Sequence, residues 1–528
     1  MEPGLAHTET APENSVNSKR STREKVENTL TEELIIGICS PIGTLKDEVI
    51  AIMEQILKTK YSNEVEKIKL SKFITDYKPI DSTPQGGKTQ PFSELEQKII
   101  NGNKLREENE NPSILAELAI NHIVVDRFGS TIDLDNMPKV EDLKSRRKCF
   151  IIDSIKNLEE LKLLRSVYRE IFYLFSIFSP LNERRNYLKD EKKLAEPEAN
   201  NIIETDEYEN NDSGQNVRNT FIHADFFVRV SNSNKDKINE KIERYFHLIF
   251  NSSIITPYPN EIAMYQAKSA AGNSACLSRQ VGASITDECG EIISKGWNDV
   301  PKFGGNLYME GDDSDSRCIT SGICSNDEQK DHLTNDIINN IFGDEELKKN
   351  LFQQKNFNQS DPAVKRLVEI VRRSSKVKDL IEFSRSVHAE MHAIITGCQL
   401  SGSRMKGGKL FCTTYPCHNC ARHIIVAGIK EVYYIEPYVK SLCIELHKDA
   451  ISEDENATDK VKILVYDGVA PRRYLEFFTM NNERKVNGKI KEVNFSKISP
   501  KTQLTLQALP TLEAQALKSL KEAKLKLI

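Results

Sequence analysis

Two short segments constrain this 528-residue chain more than anything else in it: His388-Ala389-Glu390, and Pro416-Cys417-His418-Asn419-Cys420. Each opens a run with helical spacing, and the interval between them holds one helix, a loop and one strand. Two helix N-termini can therefore meet side by side. Cys417 and Cys420 lie three apart, so their sulfurs share one face of a first helical turn. Helix N-termini favour thiolates, through free N–H groups and the macrodipole. His388, Cys417 and Cys420 supply one imidazole and two thiolates, a donor set for Zn2+ that leaves the fourth tetrahedral position open to water. Glu390, two residues from His388, is placed to move protons there as the catalytic acid and base. The other reading is a closed zinc staple with Cys412 or His418 as fourth ligand, but a staple has no use for an acid at that offset.

The chain is too long for one ordinary core, so two units and two tails are expected. Their spans are 1–30 (flexible tail), 31–255, 256–480 and 481–528 (C-terminal extension), with the main boundary at the proline-rich Ile255-Thr256-Pro257-Tyr258-Pro259. Lys+Arg 73 against Asp+Glu 78 gives a net charge of -5. That balance argues against a general nucleic-acid binder and suits a small anionic substrate. Eleven scattered cysteines read as reduced thiols. No secretory h-region or membrane-spanning apolar run is visible, so a cytoplasmic protein without membrane contact is expected.

The first unit reads as a parallel α/β sheet. Its expected strands are Leu34–Ile38, Cys149–Ile152 and Ala224–Val228. Its expected helices are Lys46–Lys58, one long helix from Leu158 to Phe178, and Asp236–Phe250. The acidic run Asn201–Gln215 reads as a mobile loop. Between the first strand and helix, Gly37, Ser40, Gly43 and Thr44 sit where a phosphate-binding loop belongs, with Asp153 as a magnesium-side acid and Arg184-Arg185 in the place of lid arginines. A working loop reads G-x-x-x-x-G-K-[ST]. Here five residues separate the glycines and Thr44 stands where the lysine should. Nucleotide binding (with or without Mg2+) or regulation is expected there before phosphoryl transfer. The second unit is expected to run helix Glu261–Ser278, strands Val281–Thr286 and Ile292–Trp297, helix His388–Leu400, strand Lys409–Tyr415, helix Cys417–Gly428 and strand Glu431–Glu436. A helix-former segment begins at Leu512. Cys318, Cys324 and His332 offer metal-ligand types for a second cluster, although their spacing matches no standard site.

At the two metal motifs, with Ser278-Arg279-Gln280-Val281-Gly282-Ala283, Gly296-Trp297-Asn298-Asp299-Val300-Pro301 and Ala427-Gly428-Ile429-Lys430-Glu431-Val432, the chain resembles the deoxycytidylate deaminase branch of the cytidine deaminase superfamily. The resemblance runs from about Ser274 to Phe478. It implies an α-β-α sandwich, Zn2+, free deoxycytidine nucleotides as substrates and a homo-oligomer, commonly a hexamer. It also implies that Asn298 bonds the sugar 3′-hydroxyl, Arg279 contacts phosphate and Tyr434 lines the sugar end. His392 stands where family members often carry asparagine, as a group supporting the site or as a packing residue. Phe383–Met391 and Gly468–Tyr474 look like segments of a narrower group: bacterial two-domain proteins in which a P-loop nucleotide-kinase-like domain precedes the deaminase. That likeness implies action on dCTP as well as dCMP in anti-phage defence. An enzyme that depletes a pool needs restraint, for which a nucleotide, an RNA and the first unit are all open. A polynucleotide-editing deaminase and a non-enzymatic nucleotide sensor are the competing readings. Editing needs a basic, aromatic channel, and a sensor has no use for Glu390.

Overall fold

The computed structural model describes residues 26, 27, 29–80, 87–132, 135, 137–139, 142–208, 214, 216–232, 234–350, 361–438 and 441–522. Most of the expected 1–30 tail lies outside them. Two six-stranded sheets organise the chain.

The first sheet has the order β12-β5-β4-β1-β3-β2. Its members are β1 (Leu34–Cys39), β2 (Glu64–Lys69), β3 (Lys148–Asp153), β4 (Phe172–Phe178), β5 (Phe226–Arg229) and β12 (Gly468–Val469). The first five run parallel and β12 joins antiparallel to β5. Parallel strands need cover on both faces, and β1 shows the consequence: Leu34, Ile36 and Ile38 face one core, Ile35 and Cys39 the other. Helices α1 (Lys46–Thr59) and α6 (Lys235–Phe250) cover the first face; α2 (Ile114–Phe128) and α3 (Leu158–Tyr168) cover the second.

Three expectations need correction. The single helix Leu158–Phe178 ends at Tyr168, and Arg169 turns the chain at φ 43°. Phe172–Phe178 is strand β4, fully buried. Phe172 and Leu174 enter one core while Tyr173, Phe175 and Ile177 enter the other. A run this rich in aromatic residues fits a pleated surface buried on both sides better than a one-sided helix. The stretch read as a loop from Asn201 is, through Tyr208, part of α5 (Glu196–Tyr208), while most of 209–215 lies outside the described residues. Ala199, Ile202 and Ile203 pack on Leu188 of α4 (Leu181–Asp190), and this apolar face outweighs the acidic composition. The C-terminal segment is no free extension. Thr31 N–H donates to Leu504 O at 2.8 Å, and α10 (Ala508–Ala516) places Glu513 against Arg127, which also pairs with Glu33.

The second sheet has the order β10-β11-β9-β8-β6-β7. It comprises β6 (Gly282–Thr286), β7 (Ile292–Trp297), β8 (Lys409–Thr414), β9 (Glu431–Glu436), β10 (Ile451–Ser452) and β11 (Val461–Val465). Helix α7 (Pro259–Ala271), which ends seven residues earlier than expected, covers one face. Helices α8 (Ala389–Ser401) and α9 (His418–Val426) cover the other. Two glycines allow the close approach: a Cβ at Gly282 would lie 1.9 Å from Ala267 O, and one at Gly296 would lie 2.3 Å from Ala393 N. The outer side of α7 shares a core with the first unit, so the units are welded and not merely linked.

Glu261, at 1% exposure, sits in that weld. Its carboxylate accepts from Arg244 Nη1 at 2.9 Å and Nη2 at 2.7 Å, from Val469 N at 3.0 Å and from Tyr258 N at 2.7 Å. Glu261→Ala leaves the buried Arg244 guanidinium without its partner, an expected loss of about 3–5 kcal/mol. A urea midpoint equal to that of the wild type would refute this; Glu261→Gln, which keeps an acceptor, is expected to lose less.

Candidate metal centre and active site

The metal motifs fold as their spacing requires. His388 is the N-cap of α8 and Cys417 the N-cap of α9, both with extended backbone. The imidazole Nδ1 of His388 stands 3.3 Å from Cys417 Sγ and 3.3 Å from Cys420 Sγ. Cys420 N–H donates to Cys417 Sγ at 3.4 Å, so the helix end already faces a sulfur with a backbone donor. Among the described residues these three form the one cluster of histidine, cysteine or carboxylate atoms close enough to hold an ion. Cys412 and His418, the alternative fourth ligands, are not in it; His418 Nε2 meets Glu382 Oε1 at 3.2 Å instead. The donor set fits zinc with one position left open.

Electrostatics agree. The hydrogen bond from Cys420 outweighs burial at Cys417, and His388 adds to it, bringing that thiol down to about 4. Burial alone would lower the His388 imidazole, but the hydrogen bond and charge of Cys417 lift it to about 9. Glu390 is 4% exposed, and burial first, then the Cys417 charge, pushes its carboxyl above the usual range. Its neighbours include the thiols of Cys420 and Cys412. A buried carboxyl of raised pKa beside a metal-type donor set is suited to taking up a proton.

The remaining candidates line the strands that carry the site. Asn298, just after β7, is buried, and its carboxamide is bound to main chain: Nδ2 donates to Arg279 O at 2.9 Å, and Oδ1 accepts from Val281 N at 2.7 Å. It thereby fixes the segment that bears Arg279. The Arg279 side chain is half-exposed and lies 3.8 Å from Glu436. Tyr434 lies on β9, edge-on to Tyr415 at 4.8 Å between ring centroids. His392 is buried and accepts from Trp297 N–H at 3.2 Å through Nδ1, which leaves Nε2–H to donate to Asn306 Oδ1 at 3.1 Å. Burial lowers its pKa, so it stays neutral and acts as a brace between α8 and the loop after β7. Cys318, Cys324 and His332 are not brought together: Cys318 meets Ser325 at 3.9 Å, Cys324 meets Ser278 at 3.8 Å, and His332 is exposed. Cys412, an alternative fourth ligand by sequence, lies beside Glu390 instead, and Asn306 beside His392 was missed because it carries no spacing signal.

Residues 258–436 match the family model described as the cytidine and deoxycytidylate deaminase zinc-binding region. The ComE operon protein 2 of Bacillus subtilis (strain 168) is 47% identical over 55 residues, 10% of this chain and 29% of that protein. The deoxycytidylate deaminase of Enterobacteria phage T2 is 38% identical over 55 residues, again 10% of this chain and 29% of the relative. The chain thus spans under a third of the length of these relatives. A solved dCMP deaminase from the cyanophage S-TIM5, in apo form, aligns over 40% of this chain and 100% of its own at 19% identity and a TM-score of 0.21.

Loading of the metal has a pH signature. His388 must lose its proton, as must the Cys420 thiol, which burial first and then its bond to Cys417 hold well above the usual range. Zinc titrated into chelator-stripped protein in weak buffer at pH 7 is therefore expected to release about two protons per metal, with affinity falling as pH drops. Binding without proton release would exclude this ligand set. The match to the cytidine and deoxycytidylate deaminase zinc-binding region covers 258–436 of the 528 residues.

Proposed function

We propose that this protein is a hydrolytic, zinc-dependent deaminase that converts deoxycytidine nucleotides, dCMP and dCTP, to deoxyuridine nucleotides with release of ammonia. The observation that carries this reading is Glu390, buried beside a three-donor site formed by His388, Cys417 and Cys420. Zinc, when bound, supplies Lewis-acid activation of water. Glu390 takes a proton from that water and delivers it to N3 of the cytosine as oxygen bonds to C4. The same carboxyl then carries the remaining hydroxyl proton to the exocyclic amine, the C4–N bond breaks, and ammonia leaves with the uracil ring carbonyl formed. Burial and the Cys417 charge raise the Glu390 carboxyl above the usual range, which favours its taking up a proton in the first step. Asn298, Arg279 and Tyr434 are assigned to the sugar and phosphate end, with Asn298 also holding the Arg279 main chain in place.

The first unit is assigned a regulatory role. Lys46, the nearest lysine to the degenerate loop, is paired with Asp153, which leaves neither group free for a nucleotide phosphate or its magnesium ion. A homo-oligomer, hexameric by the sequence resemblance, acting in the cytoplasm and depleting the deoxycytidine nucleotide pool in anti-phage defence, completes the proposal. Restraint by an RNA or a nucleotide is part of it. These last elements rest on that resemblance. No helix among the described residues is long and apolar enough to cross a membrane.

The test is ammonia release from dCMP, dCTP, CMP, cytidine and a cytosine-containing oligonucleotide. Turnover is expected on the two deoxynucleotides; turnover on the oligonucleotide alone would favour editing. Glu390→Gln is expected to keep stoichiometric zinc and to lose at least about 10²-fold in rate. Undiminished turnover in that variant would overturn the assigned proton path.

A further inference from the structure

The turn between β1 and α1 lies at the carboxyl end of the central strand of the first sheet. The chain leaves β1 toward one face, and leaves β3 and β4 toward the other. Such a switch point is where open parallel sheets bind ligands, and the amides of a turn entering a helix favour anions. In this protein the turn already has its anion. Ile42 N–H donates to Asp206 Oδ2 at 2.7 Å, and Lys156 Nζ is bound to Asp206 Oδ1. Asp206 is completely buried.

The other polar groups of the turn are committed in the same way. Lys46, on the first turn of α1, pairs with Asp153 and donates to Ser154 Oγ at 2.6 Å. Leu45 N–H donates to Ser179 Oγ at 3.3 Å, and Arg184 Nε donates to Ile42 O at 2.8 Å. Two lysines therefore face two aspartates at this turn. The Thr44 hydroxyl beside them is buried and has no hydrogen-bond partner among the described residues.

We propose that the anion position of this turn is a phosphate-type site filled by the chain's own Asp206 carboxylate, so that external phosphoryl groups are excluded while α5 stays docked. The helix that delivers Asp206 is held by its own apolar cluster, Ala199, Ile202 and Ile203 against Leu188, Leu194, Phe92 and Ile99. A tethered carboxylate competes at an effective concentration no free metabolite reaches. An incoming phosphate would also meet Asp206 and Asp153 as like charges in a buried setting. The assignment does not depend on the deaminase chemistry, and it gives the missing phosphate lysine a physical sense, since a site that holds a carboxylate permanently has no need of it.

Thermal unfolding of the full chain tests this, with inorganic phosphate or MgATP titrated against chloride at equal ionic strength. The wild-type midpoint is expected not to respond. Asp206→Ala removes the ion pair to Lys156 and the acceptor of the Ile42 amide; its midpoint should fall, then rise saturably by several degrees with phosphate. Asp206→Asn, which keeps the shape and loses the charge, guards against failure of the alanine variant to fold and should also gain a saturable phosphate response. Adding Lys156→Ala to either variant should abolish that gain. A saturable wild-type shift as large as that of the variants would overturn the proposal. So would folded Asp206 variants that ignore phosphate, or a response that survives loss of Lys156.

Discussion

Much of the structure hangs on one buried carboxylate. Glu261 is surrounded by four donors that come from three separate parts of the chain: the Arg244 guanidinium of α6, the amide at the entry to α7, and the amide of Val469 in β12. Removing a charge from water costs several kcal/mol, and the geometry here recovers that cost because each oxygen is bonded twice. The pair does more to specify than to stabilise. It sets the axial position of α7, and α7 is the helix on which the second sheet is laid.

From that position the metal centre follows by packing. Gly282 lets β6 press against α7, and Gly296 lets β7 press against α8 on the opposite side. The thinness of the layers at those two points brings the N-terminus of α8 level with that of α9. His388 and Cys417 are both cap residues, so their side chains project from helix ends and not from helix sides. Cap positions give the site its chemistry as well as its place, because the amides that a helix start leaves unbonded stabilise sulfur anions. His392 adds rigidity: a neutral imidazole with both nitrogens engaged ties α8 to the loop following β7.

The sequence was informative where one rule governed and misleading where two competed. Cys417 and Cys420 needed only the helical repeat, and β1 only an apolar run with a turn after it. Phe172–Phe178 satisfied both an apolar-helix and a buried-strand reading, and burial on two faces decided for the strand. Residues 201–208 looked solvated by composition, yet Ile202 and Ile203 on one side of α5 were enough to dock it. The return of the C-terminal segment was invisible because its anchors, Glu513 to Arg127 and Leu504 to Thr31, are long-range pairs with no local pattern. Asn298 shows a use that residue type does not reveal: its carboxamide also bonds the main chain at Arg279 and Val281.

Two of the helix starts in this chain hold their charges in different ways. At α9 the Cys417 thiolate faces the His388 imidazolium while the Cys420 thiol keeps its proton, so a cation can take the place of two protons at the three donors. At α1 the opposing charges are Lys46 with Asp153 and Lys156 with Asp206. A site whose protons can be exchanged for a metal accepts a cation, whereas a turn closed by lysine–aspartate pairs resists an anion by the cost of breaking them. The same local architecture, a strand feeding a turn that feeds a helix, thus carries a metal-type donor set in one unit and an internally paired turn in the other. What separates them is the side chains the tertiary fold delivers: a histidine and two cysteines beside a buried glutamate, or an aspartate seated on the turn itself.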